Sequence, residues 1–159
     1  MDQSPGKWYV DRVPSPMTRS ALAAGLLLAI ACSGKPSWKE YSSGAVTLQF
    51  PCNATVSAAV AKCLLSDGSE FALATVDKGI PAEQELTEMT EYVKGLPKSE
   101  ILQGDGYPFK WREVRQFVKL DAWLWYVDGK EYTVSVTYAS VDLPPLASDF
   151  FSRVKVKGK

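Results

Sequence analysis

The most regular feature of the chain is alternation of apolar and polar positions in short runs. In residues 45–50 (AVTLQF), Val46, Leu48 and Phe50 fall on one face, the period of two that marks a half-buried strand. Pro51 then closes the run because it has no N–H to give a ladder. Residues 59–65 and 70–76 carry the same signal on either side of Ser66-Asp67-Gly68-Ser69, where an Asp-Gly pair supplies the positive dihedrals of a tight hairpin. Residues 77–81 (DKGIP) break the alternation, and the period lengthens. Over residues 82–94, Leu86, Met89 and Val93 share one face, continued by Leu96. Pro81 stands near the first turn, Glu83 and Glu85 near the positive dipole end, and Gly95 at the stop. This predicts a surface helix laid on a sheet.

Strand character returns modestly at residues 99–103, before the loop Gly104-Asp105-Gly106, and residues 110–119 (KWREVRQFVK) read as extended. The strongest local signal is residues 121–140 (DAWLWYVDGKEYTVSVTYAS). Two β-rich runs meet at Asp128-Gly129, and on the second run Tyr132, Val134, Val136 and Tyr138 alternate with Thr133, Ser135 and Thr137. The first run is apolar on both faces, Trp123 and Trp125 on one and Leu124 and Tyr126 on the other. It therefore predicts a central strand covered on both sides. Residues 142–145 punctuate the chain. Leu146, Phe150, Phe151 and Val154 then predict a short amphipathic helix ahead of a basic tail at residues 155–159. The order of elements predicts an α+β domain, a twisted antiparallel sheet with helices packed on its faces.

Length and composition leave that picture intact and remove some functions. The chain has 159 residues, enough for one ordinary domain, with 18 Lys/Arg against 18 Asp/Glu. Three of the cations and two of the acids precede Cys32, which leaves 15 against 16 and no broad electrostatic lure for nucleic acid. No histidine is present and no CxxC spacing occurs, so neither a metal nor another cofactor is expected. The loop at residues 104–106 lacks the following lysine and hydroxyl of a phosphate cradle.

The front of the chain sets the compartment. Arg19 precedes an uncharged apolar run at residues 21–31, and about eleven helical residues rising about 1.5 Å each cover about half of a hydrocarbon core about 30 Å thick. The run is too short to span and has the form of a secretory signal. Its last residues, Ala29-Ile30-Ala31-Cys32, resemble a bacterial lipobox, with Ala29 where leucine is usual. The resemblance implies cleavage before Cys32, a diacylglyceryl group on its sulfur and a lipid anchor in the cell envelope facing the periplasm. Ser33, in place of aspartate, leans towards the outer membrane. Residues 1–16 carry acidic residues and three prolines, a poor n-region, whereas Met17 opens a compact one, so translation is expected to start there. The resulting map is an upstream extension at 1–16, a signal peptide at 17–31, a tether at 32–37 and a domain at 38–159. With Cys32 lipidated, Cys52 and Cys63 remain to form a disulfide, stabilising by roughly 2–3 kcal/mol. A redox or metal pair is the alternative.

Candidate chemistry is sparse. Lys110, Trp111, Arg112 and Arg115, with Phe117, mix cations and aromatics on one run. They form a candidate surface for an anionic or aromatic ligand, a partner or lipid headgroups, against the plainer reading of a half-buried strand with cationic tips in water. Glu88 and Glu91 read as a solvated helix face. A carboxylate-dependent hydrolase using Asp105 or Glu113 would need a cleft and a perturbed carboxylate. No activated nucleophile is evident, so the chain is expected to be non-enzymatic.

Four short stretches carry a second resemblance. Trp38-Lys39-Glu40-Tyr41, Val46-Thr47-Leu48-Gln49-Phe50-Pro51, Val127-Asp128-Gly129-Lys130-Glu131-Tyr132 and Ser148-Asp149-Phe150-Phe151-Ser152-Arg153-Val154 together resemble bacterial PsbP-like domains over residues 38–156. The resemblance implies an α/β/α sandwich acting as an extrinsic, assembly or interaction module with a protein partner, and it brings no catalytic residues.

Overall fold

The computed structural model describes residues 36–158. Its strands are β1 (Lys39–Ser43), β2 (Val46–Phe50), β3 (Thr55–Ser57), β4 (Val60–Leu64), β5 (Glu70–Asp77), β6 (Ser99–Gln103), β7 (Phe109–Arg115), β8 (Val118–Val127), β9 (Lys130–Tyr138) and β10 (Lys155–Val156). Its helices are α1 (Ala82–Gly95), between β5 and β6, and α2 (Pro145–Ser152), between β9 and β10. A seven-stranded sheet runs β3-β4-β5-β9-β8-β7-β6 and a three-stranded sheet runs β1-β2-β10. Each described pairing is antiparallel. The α+β class with helices on an antiparallel sheet is therefore observed.

The large sheet buries both faces at its centre. Towards α1, Val93 packs with Phe109, Trp111, Ala122 and Leu124. Towards the other side, Phe71, Trp125, Val134 and Val136 meet Leu48 and Phe50 of β2 and Phe150 of α2. The Phe150 ring lies 5.6 Å from Phe50 and 5.0 Å, edge-on, from Phe71, the geometry the aromatic quadrupole favours. Strand β8, apolar on both faces, sits between β7 and β9 and contributes to both cores. Its hairpin with β9 turns through Asp128 at φ 50° and Gly129 at φ 75°, the left-handed pair that matches strand twist.

Several expectations need correction. Strands β1, β3 and β10 carry little or no apolar alternation and were not predicted; β10 lies within the stretch read as a basic tail, where Lys155 and Val156 pair with Thr47 and Val46. Residues 110–119 are not one extended run. Arg115 pairs with Val118, so the chain reverses through Gln116 and Phe117, and no residue of that turn has the positive φ that would have called for glycine. The β4–β5 loop uses a positive φ only at Gly68, while Asp67 Oδ1 accepts the Ser69 N–H at 2.8 Å. The bridge between Cys52 and Cys63 is formed, but β2 and β4 are not paired neighbours. The bridge joins the small sheet to the large one. The upstream extension at 1–16, the signal peptide at 17–31 and the start of the tether, Cys32 included, lie outside the described residues.

Candidate functional site

Alternation along β7 decides the fate of the candidate surface. Lys110 lies opposite Trp123 and Arg112 opposite Asp121, on the α2 side of the sheet. Trp111 lies opposite Ala122, on the α1 side, and Arg115 shares that parity. The sheet thus divides Lys110 and Arg112 from Trp111 and Arg115, and the four do not form one patch. Trp111 is buried in the α1 core rather than offered to a ligand.

The two arginines are each committed. Arg112 forks onto Asp121 through Nε and Nη2, both at 2.7 Å, and Tyr138 Oη donates to the same carboxylate at 3.3 Å. Those hydrogen bonds raise the Arg112 pKa, and burial beside Asp121 raises that of Tyr138. Arg115 forks onto Glu113 at 2.6 and 3.0 Å, which raises its own pKa. Glu113 is nearly buried and engaged near one end of β7, whereas Asp105 is exposed in the loop before the other end. The structure does not bring the proposed carboxylates together.

Lys110 is different. Its Nζ stands 4.1 Å above the Trp123 ring, with no carboxylate partner among the described residues, and Trp123 stacks on Phe151 at 4.6 Å. An open depression of about 360 Å³ lies here, lined by Leu102, Lys110, Asp121, Trp123, Leu143 and Phe151 among others. Its chemistry suits a cation-seeking contact with an apolar margin.

A strongly perturbed carboxylate was missed. Glu85, read from the sequence only as lying near the positive end of the helix dipole, is fully buried. Lys78 Nζ lies 3.2 Å from Glu85 Oε1 and 3.2 Å from Glu131 Oε2, so one ammonium is shared by two carboxylates. Neither Glu85 oxygen has a well-directed hydrogen bond, which makes the contact ionic. Burial pushes the Glu85 pKa up from 4.5 to about 7, assisted by Glu131 and opposed by Lys78. A favourable helix-end charge is worth about 0.3–1 kcal/mol at the surface, whereas desolvating a carboxylate takes several, so burial wins. Burial lowers the Lys78 pKa, but Glu131 and Glu85 outweigh it and the net direction is upward.

Two tyrosines hold this end of α1 to the sheet. Tyr126 Oη donates to Ile80 O at 2.6 Å and accepts the Ile80 N–H at 3.3 Å. Tyr107 Oη donates to Ala82 O at 2.8 Å, and burial together with Glu85 pushes its pKa to about 12. Pro81 provides no side-chain cap. These tyrosine contacts therefore serve the anchoring role that a cap would. The sequence did hold a sign of the buried carboxylate, because Glu85 precedes Met89 and Val93 at helical spacing of four.

Among the described residues no cluster of three potential metal ligands occurs, and no helix is long and apolar enough to cross a membrane. No family model and no curated protein matches the chain. Among solved structures it is similar to the Ran-binding protein Mog1p of Saccharomyces cerevisiae, at 14% identity and TM-score 0.46, over 77% of this chain and 96% of that one. A mutant of protein Mog1 is similar at 14% identity and TM-score 0.45, over 76% and 96%.

Proposed function

We propose that the chain is a lipid-anchored, non-enzymatic binding or assembly module of the bacterial cell envelope, held through Cys32 and facing the periplasm, with the outer membrane favoured. The observation that carries this reading is the use of the cysteines. The chain has three, and Cys52 and Cys63 are bonded to each other. The third is Cys32, at the end of the signal-like run. A disulfide persists in an oxidising compartment, and an exported chain with an odd cysteine has an employment for it if that cysteine is acylated.

The domain itself reads as a PsbP-like sandwich. What supports this reading is Phe50-Pro51 at the end of β2, Asp128-Gly129 at the turn of the aromatic hairpin, and Phe150 and Phe151 in the last helix. Its charged clusters support a binding role over catalysis, because Arg112–Asp121, Arg115–Glu113 and Lys78 with Glu85 and Glu131 are closed networks. A protein partner is expected, and the Lys110–Trp123 depression is a candidate contact.

The test is metabolic labelling of the full chain in a bacterial host with an alkynyl fatty acid, with intact mass measured on the purified product. The reading expects a mature chain beginning at Cys32 with a diacylglyceryl mass, and loss of the label in Cys32→Ser. A mature chain that starts elsewhere and carries no acyl mass would refute it.

A further inference from the structure

Helix α1 is fixed to the sheet by different chemistry at its two ends. Of its residues only Glu85, near the start, and Val93, near the end, are buried. Val93 packs with Phe109, Trp111, Ala122 and Leu124, and Ser99 Oγ donates to the Val93 and Leu96 carbonyls. Leu86 and Met89, between the two, are only partly buried. The far end is therefore held by apolar burial, which does not depend on protonation. The near end is held by an ionisable group, at a helix terminus where Pro81 gives no side-chain cap.

The geometry places the labile proton of this end on Glu85. Glu131 accepts from Thr133 Oγ1 at 2.9 Å on one oxygen and meets Lys78 Nζ at 3.2 Å on the other. Glu85 has the same ammonium at 3.2 Å, no well-directed hydrogen bond on either oxygen and no exposed surface. The groups around the cluster supply no second cation. Tyr107, from the β6–β7 loop, and Tyr126, from β8, direct their hydroxyls to the Ala82 and Ile80 carbonyls. Lys130 pairs with Asp77 at 3.8 Å, and on α1 itself Glu83 and Glu88 are exposed, Glu88 accepting from Gln84. With both carboxylates ionised the cluster holds one negative charge in excess; with Glu85 protonated it holds none. Hydration relieves a buried excess charge. Because Glu85 lies between α1 and the sheet, water reaches it only if the first turn moves.

We propose that residues 82–88, the first turns of α1, form a proton-controlled flap: protonated Glu85 keeps them on the sheet, and ionisation of Glu85 lets them lift while Val93 and Ser99 hold the far end. The near limit of the movement is set by the link before the helix. There the Lys78 and Gly79 N–H groups both donate to the Gly129 carbonyl at 3.0 Å, and Tyr126 holds Ile80 through its N–H and its carbonyl. Lifting breaks the Tyr107 contact with Ala82 and bares the Tyr107 ring where it stacks on Tyr126, 6.2 Å away, beside a charged Glu85. The domain then offers an aromatic and anionic face at alkaline pH that it withholds at acid pH. The inference concerns the fold and does not rest on the Cys32 anchor.

The closed form keeps the Glu85 proton up to about pH 7, whereas an exposed glutamate gives it up near 4.5. The opening equilibrium therefore rises with pH between those values and levels off above about 7, a gain of about 30-fold from pH 5.5 to pH 8. Lys78, whose pKa is raised, keeps its charge across this range.

The test is native-state hydrogen exchange on the full chain in non-ionic detergent, at pH 5.5, 7 and 8 and in low concentrations of guanidinium chloride, with rates corrected for intrinsic exchange. Amides 85–88 should exchange through an opening that low denaturant does not promote, distinct from global unfolding, and their protection should fall about 30-fold from pH 5.5 to pH 8. Amides 93–96 and those of central β8 should exchange only with the global transition. Glu85→Gln should keep the flap protected at pH 8 and remove its pH dependence. Glu83→Gln, on the exposed side of the same turn, should leave the parent's profile unchanged. If Glu85→Gln does not fold, the parent's own profile decides. Exchange of amides 85–88 only through global unfolding at every pH overturns the inference. A local opening equally populated at pH 5.5 and pH 8 overturns it too, as does a pH dependence that survives in Glu85→Gln.

Discussion

Replacing Glu85 by glutamine removes one negative charge from a cluster that holds two carboxylates around one ammonium. Glu85 is fully buried, and Lys78 sits 3.2 Å from both it and Glu131. In the native state the Glu85 pKa stands near 7 against 4.5 when exposed. The native protein therefore binds more protons than the unfolded chain between those values, and this group's contribution to stability falls as pH rises through that window. Keeping Glu85 charged above pH 7 corresponds, at about 1.4 kcal/mol per pH unit, to about 3 kcal/mol at most. Glutamine has no such charge, is nearly isosteric, and leaves Lys78 with Glu131. At pH 8 Glu85→Gln should then be more stable than the parent by about 1–3 kcal/mol, while at pH 4.5 the two should nearly coincide. Lys78, with its pKa raised, keeps its own contribution until alkaline pH and does not enter the comparison. The assay is denaturant unfolding of the full chain in non-ionic detergent at pH 4.5, 6 and 8, read by far-ultraviolet circular dichroism. A variant destabilised equally at all three values would show that the Lys78 contact outweighs the burial of Glu85 and would refute the reasoning.

Three further outcomes follow from the packing. Reducing the Cys52–Cys63 bridge, which closes a separation of 11 residues, should lower stability by about 3 kcal/mol and be matched by Cys52→Ala with Cys63→Ala, measured by denaturant midpoint. Phe150→Ala should cost about 3–5 kcal/mol, because the ring is fully buried between Phe50 and Phe71; a loss below about 1 kcal/mol would mean that α2 repacks. Gly44→Ala should cost at least about 1–3 kcal/mol in a thermal melt. A Cβ there would fall 2.3 Å from Tyr132 Oη, at a residue whose φ is +56°.

Much of the domain was legible from pattern because local rules agreed with tertiary need. Val46, Leu48 and Phe50 are buried as their alternation requires, and β8 has two cores because its residues are apolar on both faces. The Asp128-Gly129 turn follows from its dihedrals, and the helix over residues 82–94 from its spacing and flanking breakers. The pairing of Cys52 with Cys63 was accessible from counting. These features depend on neighbours in the chain or on simple parity.

What remained belonged to contacts between distant segments. Strands β1, β3 and β10 exist because a partner edge offers hydrogen bonds, and only the assembled sheets create those edges. The cation–aromatic run was divided because the chain turns at Gln116 and Phe117 with no glycine to announce it. Parity on β7 then sent Lys110 and Arg112 one way and Trp111 and Arg115 the other. Glu85 acquired its raised pKa only when the sheet and Glu131 closed around it, against the pull of Lys78. By itself the sequence determined the strand faces and the helices, since each follows from spacing along one chain, whereas the cysteine pairing followed only from setting Cys32 aside. Burial of charge and joining of sheets were decided by tertiary structure, because desolvation and proximity are properties of the folded chain.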